Sequence, residues 1–524
     1  MKAIKKIVQN LKTWTGRLIL LLVIWQFFSV IMVVIFNWPA WISWVNLSLL
    51  SVWVLFLDIF DSFLLLIASI PFYIILPNPY FETLSMWRIL FAWLFAVWFI
   101  RDLKFNFRNL KFLPYDKILG IFTALALIIT LSFARFIGQG IKEILFWLNV
   151  YLFYLVLVNA IKTRAQIIRT VKYTAGSLLL IVGLGFVQLA TTFFVNLDVF
   201  WVYWASFASK VYYGQYFGEI ALYSNSWFSY DGARQLRLFS VLPDSHAFAL
   251  IAMFALAFLL PLLVLNKKSK KIVSSLWKNI ILSSLAIALT ATRAVWIGIA
   301  GPIFSAAVLF IRNIQREFLK KIFTVFALVV VLAALLPVIN LGFEFIRTGR
   351  PDGEFGSRAF SIYDLENSSN LGRLQIWKES LNVALAKPFG VGLGNFVIGV
   401  YGAGDSMTYE DIISQKNEDF NLPFEFVTAH SLYLQILVEL GFLSLIIFVM
   451  FILKYFKDVW VFVKKYKEKN DFLVVLVLQL GLALCWVFTS ALFDVTLFND
   501  RVLIYFFIAL GLSGMIIKNY EILK

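Results

Sequence analysis

The feature that most constrains this chain is the recurrence of apolar runs of roughly 16–24 residues, each bounded by polar or basic clusters. They lie near 17–36, 43–60, 62–78, 85–100, 117–133, 144–161, 174–195, 245–265, 277–293, 294–311, 322–342, 430–453, 472–492 and 501–517, about fourteen in all. Lipid offers no hydrogen bonds to a bare backbone, so each run must close its own as a helix. The sequence is 61% hydrophobic and 15% charged, with mean hydropathy +0.86, more apolar surface than a soluble core absorbs. The pattern predicts an all-α polytopic membrane protein with about 12–14 transmembrane helices. Hydropathy is least able to place the two runs joined by "DIFD", where Asp58 and Asp61 read as a short turn.

The net charge of +16 suggests nucleic acid only until its distribution is read. "KAIKKIVQNLK", "RDLKFNFRNLK", "KTRAQIIRTVK", "NKKSKK", "RNIQREFLKK" and "KYFKDVWVFVKKYKEK" all fall on one side of the predicted spans. Basic loops face the cytoplasm, so both termini are expected there and no nucleic-acid partner is implied. The first run lacks a small-residue cleavage site and reads as a retained anchor. With Cys485 as the single cysteine, intramolecular disulfides and cysteine-based metal sites are excluded.

Two segments assigned to the outside are too long to be turns. They divide the chain into an N-terminal bundle (1–195), an aromatic loop (196–244), central helices (245–342), a large loop (343–429) and C-terminal helices (430–524). The large loop carries more Asp and Glu than Lys and Arg, the reverse of the cytoplasmic loops. Within it, "LGRLQIWKESLNVALAKPFGVGLGNF" has helical spacing and then stops at Pro388 and three glycines. The stretch "GAGDSMTYEDIISQKNEDFN" reads as a polar excursion.

The chain has two histidines, His246 and His430. His430 opens an apolar helix directly after the large loop. Arg293, in "LTATRAVW", interrupts an apolar stretch of more than thirty residues. A charge at bilayer depth costs about 2.5–3.5 kcal/mol, so it needs a partner, a wet cavity or a helix end from which to snorkel. Arg373, in "GRLQIW", has many acids nearby with which to pair, and Arg237 stands where an interfacial arginine would. Glu439 lies on the face of Gln435, opposite His430, which reads as a buried polar pair. "GVGLGNF" reads as a loop fixing Arg373 relative to the membrane, since no strand precedes it as a nucleotide site requires.

Taken in order, the motifs are Thr-x-Thr-Arg (290–293), Gly-Arg-x-x-x-Trp (372–377), Pro-x-Gly-x-Gly-x-Gly-Asn (388–395) and His-Ser-x-x-Leu-Gln-x-x-x-Glu-x-Gly (430–441). This order resembles the O-antigen ligase/polymerase superfamily of bacterial envelope enzymes, most strongly over 237–453. His430, Ser431 and Gly441 match the ligase pattern. Ser444 stands where that pattern has Gly, Thr or Tyr, so the match supports the superfamily more than the ligase branch.

The resemblance implies a GT-C-like glycosyltransferase in the bacterial inner membrane, with a long external loop between the eleventh and twelfth helices. Its implied partners are an undecaprenyl-diphosphate-linked glycan donor, a glycan or lipid-linked acceptor and membrane lipids. It implies His430 as general base and Arg293 and Arg373 as diphosphate ligands, with Arg237 a further candidate for substrate binding. Neither a metal nor a cofactor is implied. A ligase would deliver glycan to a lipid A core sugar of lipopolysaccharide, and a polymerase would join lipid-linked repeat units. A polysaccharide or lipid transporter is the alternative class, but it should show broken helices in corresponding halves of the chain. A non-enzymatic scaffold leaves the Arg/Arg/His set unexplained.

The topology is directly testable. Cysteines placed by Ser406→Cys and Ser269→Cys in a Cys485→Ala background should differ towards an impermeant thiol reagent. With a permeable outer barrier, Ser406→Cys should be labelled in intact cells and Ser269→Cys should not; the reverse would overturn the orientation.

Overall fold

In the computed structural model, which describes residues 2–36, 38–77, 84–106, 108, 110–214, 227–229, 234–349, 368–401, 428–469 and 471–524, the apolar runs form helices. The N-terminal part contains α1 (Lys2–Ile35), α2 (Ile42–Phe56), α3 (Ile59–Ser69), α4 (Met86–Arg101), α5 (Asp116–Phe133), α6 (Ile137–Ala160) and α7 (Arg164–Thr191). Next come α8 (Leu197–Tyr203) and α9 (Ser209–Tyr213), joined by a π-helical turn. The central helices are α10 (Ser245–Leu265), α11 (Lys270–Leu289), α12 (Arg293–Gly298), α13 (Ala300–Ile311), α14 (Arg316–Ala334) and α15 (Leu336–Thr348). Then follow α16 (Ser368–Ala386), α17 (Phe396–Tyr401), α18 (Leu432–Lys465), α19 (Phe472–Ser490) and α20 (Asp500–Leu523).

Ten of these helical segments among the described residues are long and apolar enough to cross a membrane, or eleven if the bent pair α14 and α15 is one span. This is fewer than the fourteen runs, for three local reasons. The "DIFD" pair gives only 15 residues in α2 and, with a 3-10 turn, Ile59–Phe72. Extended backbone at Leu57 and Asp58 separates the two, and Asp61 pairs with Arg169 at 2.6 Å. The fourth run yields a 16-residue helix, α4. The eleventh bends by 57° where Pro337, lacking an N–H, enters the first turn of α15.

The helices differ in surroundings. In α10 and α19, 89% of the most apolar window is buried within the protein, and in α20 83%, so these three form the interior. The corresponding value for α1 is 39% and for α5 33%, leaving Leu20, Leu21, Phe28, Ile128 and Leu131 outward as lipid-facing surface.

Both long connections contain structure. In the aromatic one, antiparallel strands β1 (Phe228–Ser229) and β2 (Gln235–Leu236) meet α8 in a cluster of Phe200, Trp201, Trp227 and Phe239. The large one begins later than 343, because α15 continues to Thr348, and it carries α16 and α17. The polar excursion (402–421) lies outside the described residues.

The glycine-rich loop docks into a break in α18. Gly441 there has φ 75° and ψ 179°. Val391 N–H donates to the Val438 carbonyl (3.0 Å), Gly392 N–H to Glu439 (2.9 Å), and Phe442 N–H to Pro388 (3.1 Å). Peptide groups freed by the break are thereby satisfied. Gln435 Nε2 donates to Glu439 Oε1 at 3.0 Å, the polar pair their spacing predicts. On its other side the loop meets the α5–α6 turn, where Asn395 Oδ1 accepts from Phe136 N–H (2.9 Å) and Thr130 Oγ1 from Leu393 N–H (3.1 Å).

A Cβ at Gly441 would stand 2.4 Å from the Pro388 carbonyl oxygen in a left-handed conformation. Gly441→Ala should therefore destabilise the protein by about 2–3 kcal/mol, read as a lowered unfolding midpoint in detergent. Gly342→Ala, where nothing lies within 4 Å, should not.

Candidate functional site

The site is assembled from helix ends. Helix α11 stops at Leu289, and the chain turns through Thr290, Ala291 and Thr292 before Arg293 begins α12. Ala291 takes φ 49°, a left-handed conformation that costs a residue with a Cβ about 1–2 kcal/mol. Arg237 holds this turn. Its Nε donates to the Thr290 carbonyl at 2.7 Å, and one terminal nitrogen reaches Thr292 Oγ1 at 3.3 Å. Its backbone neighbour Leu238 donates to the Leu289 carbonyl at 3.2 Å. Arg237 is buried, and Arg293 is half-buried at the helix start.

A second turn carries His430. This residue is half-buried with φ 47°, and Ser431 caps α18 by accepting from Leu434 N–H at 3.5 Å. Leu432 N–H is shared between the carbonyls of Ala491 (2.9 Å) and Asp494 (3.2 Å) in the connection between α19 and α20. Gln435 Oε1 accepts from Ala429 N–H at 2.9 Å. The peptide before His430 is thus held by its own helix, and the one after Ser431 by its neighbour.

The third element is α16. Trp377 Nε1 donates to the Ala429 carbonyl at 3.0 Å, and its ring lies 6.2 Å from that of Phe493. Arg373, half-buried, stands one helical turn before Trp377 on the same face. The Gly-Arg-x-x-x-Trp motif therefore packs its helix against the His430 turn.

The Arg293 and His430 turns are joined through the start of α10. Thr292 Oγ1 donates to the Ser245 carbonyl at 3.5 Å, and the adjacent His246 places Nδ1 2.7 Å from Asp494 Oδ2. Asp494 Oδ1 accepts from Val495 N–H at 2.7 Å. Asp244 caps α10 by accepting from Ala247 N–H at 2.7 Å. Burial pushes the Asp244 carboxyl above its ordinary value, and nearby His246, the cap bond and Arg237 oppose that rise while Asp494 adds to it. One unbroken series of contacts thus runs from the Arg293 turn through His246 and Asp494 to the His430 turn and on to the Arg373 helix.

Three residues with a Cβ and positive φ, Ser240, Ala291 and His430, lie on the segments that meet here. Left-handed backbone persists only where its surroundings over-determine it, and such strain concentrates at working sites. His246 and Asp494 carry no recognisable motif, and sequence reasoning assigned them nothing. The available signal was one of the two acids between the last two apolar runs, Asp494 and Asp500, and the other histidine of a chain that has two. Among the described residues, no group of three or more His, Cys, Asp or Glu side chains is arranged to hold a metal ion.

No curated protein matches the chain. Residues 279–449, about a third of its length, match the family model described as O-Antigen ligase. The matched span runs from within α11 into α18 and contains Arg293, Arg373, the glycine-rich loop and His430. Over that domain this multi-pass membrane protein is similar to the O-antigen ligase family, which supports an O-antigen ligase-type function in general.

Proposed function

We propose that the protein transfers glycan from undecaprenyl diphosphate to an acceptor hydroxyl at the outer face of the bacterial cytoplasmic membrane. The observation that carries this reading is the junction of the Arg293 turn, the Arg373 helix and the His430 turn at one end of the bundle. In the reaction, a bond forms between the acceptor oxygen and the anomeric carbon while the bond from that carbon to the diphosphate oxygen breaks. Undecaprenyl diphosphate leaves, and the hydroxyl proton passes to a base. An imidazole ordinarily titrates near pH ~6.5 and can take that proton, which is the role assigned to His430. The planar forks of Arg293 and Arg373 match diphosphate oxygens and compensate the charge that grows on them. Arg237, with its guanidinium taken up by Thr290 and Thr292, supports the Arg293 turn.

The basic segments lie on the opposite side of the predicted spans from these residues, which supports an external site and cytoplasmic termini. Ligase and polymerase differ here in the acceptor: a lipid A core sugar for the first, a second lipid-linked glycan for the other. A GT-C arrangement without metal fits a site whose counter-charges are arginines.

His430→Ala should lower transfer by at least about 100-fold, the lower bound for losing a general base, while the protein still inserts and accumulates. Near-normal transfer by the purified, lipid-reconstituted variant would remove the base assignment. Arg293→Lys and Arg373→Lys keep charge but lose the fork, and should each reduce donor affinity or turnover by roughly ten- to a hundredfold. Arg312→Lys, following α13 and facing the Trp460 ring, serves as the control and should stay within about twofold of wild type. Equal, small effects at all three positions would refute the diphosphate site.

A further inference from the structure

His430 is set by its surroundings as well as by its own helix. It takes a left-handed φ of 47°, and the N–H two residues on is directed to the Ala491 and Asp494 carbonyls. Whatever fixes the 491–494 turn therefore helps to fix where the imidazole of His430 stands. The turn is held by the Asp494 carboxylate, whose Oδ1 accepts from Val495 N–H and whose Oδ2 lies 2.7 Å from His246 Nδ1. A carboxylate only accepts, so Nδ1 is the protonated ring nitrogen and donates.

The same helix start that carries His246 receives the Thr292 hydroxyl through Ser245, one residue before Arg293. His246, Asp494, Val295 and Ser490 line a small pocket between these elements. Among the described residues, Ser490 Oγ is buried there with no hydrogen-bond partner. Within electrostatic reach of one another stand Asp244 on α10, Asp494 from the α19–α20 connection and Arg237 from the strand segment, with His246 among them.

We infer that His246, acting through Asp494, is a positioning residue that sets the start of the His430 helix against the Arg293 turn. The inference rests on the reading of His430 as the base. In that role the pair governs turnover, since it orients the group that takes the acceptor proton. Donor affinity depends on the arginines and is left alone.

The test uses the full chain in lipid, with lipid-linked glycan purified from the same cells as donor and undecaprenyl diphosphate as binding probe. His246→Ala and Asp494→Asn should each lower kcat by about ten- to a hundredfold, with donor KM and undecaprenyl diphosphate binding within about threefold of wild type. The double variant should be no worse than the poorer single one, because both remove one interaction. His246→Asn retains a donor where Nδ1–H stood and should recover at least about a third of wild-type kcat.

Wild-type turnover in His246→Ala would overturn the inference. So would a folded His246→Asn as inactive as His246→Ala, because the imidazole itself would then be required. A loss in kcat that merely tracks the fraction of folded protein would reduce the pair to packing and overturn it as well. His430→Ala, run in parallel, separates the two readings. Activity in that variant removes the base assignment, whereas its inactivity beside an unaffected His246→Ala removes only the positioning pair.

Discussion

A helix that reaches the edge of an apolar layer ends in backbone groups without partners, and at one end of this bundle those ends satisfy one another. The Leu289 and Thr290 carbonyls are taken by Leu238 N–H and the Arg237 guanidinium. Leu432 N–H finds the Ala491 and Asp494 carbonyls, and Trp377 finds that of Ala429. Each bond joins segments far apart in sequence. The requirement that no backbone group go unpaired thus gathers the arginine and histidine turns into one junction.

Charge is used sparingly along this end. Asp494 is shared by His246 and Val495 N–H, and Asp244 caps a helix. Arg237 is buried against carbonyls. Arg501 is handled in the same way, with bonds to the Val241 carbonyl (2.5 Å), the Tyr73 carbonyl (2.6 Å) and the Tyr213 hydroxyl. A buried guanidinium surrounded by carbonyls behaves as a bracket between loops, because its five donors reach several chain segments at once. Arg237 and Arg501 therefore differ from the half-buried Arg293 and Arg373, although all four look alike in sequence. The difference lies in how deeply each fork is buried.

The glycine-rich loop shows how a weak motif acquires meaning. Its glycines let one backbone lie directly against another at the Gly441 break. That contact ties α16 to α18, so the arginine of the first and the histidine of the second share a frame. With Trp377 bonded beside His430, the Arg373 helix is fixed at two points. Catalysis of the proposed kind demands such a frame, since misplacement of a reacting group by about 1 Å can cost a hundredfold in rate.

Much was legible from residues alone. Length and polarity of the apolar runs set the all-α membrane class, because lipid permits few other solutions. Local spacing revealed the Gln435–Glu439 pair, the stop at Pro388 and the candidate Arg293, Arg373 and His430. Helix number was less legible, since hydropathy does not see the short break at Leu57–Asp58 or the bend before Pro337. Pairings across the fold were not legible at all. His246 and Asp494 are separated by 248 positions yet meet at 2.7 Å, and nothing in either neighbourhood names the other. The bracket role of Arg237 likewise exists only once α11 ends beside it. Hydrophobic periodicity is a property of one segment and can be read along the chain; hydrogen bonds between helix ends belong to the packing and arise only when the helices are in place.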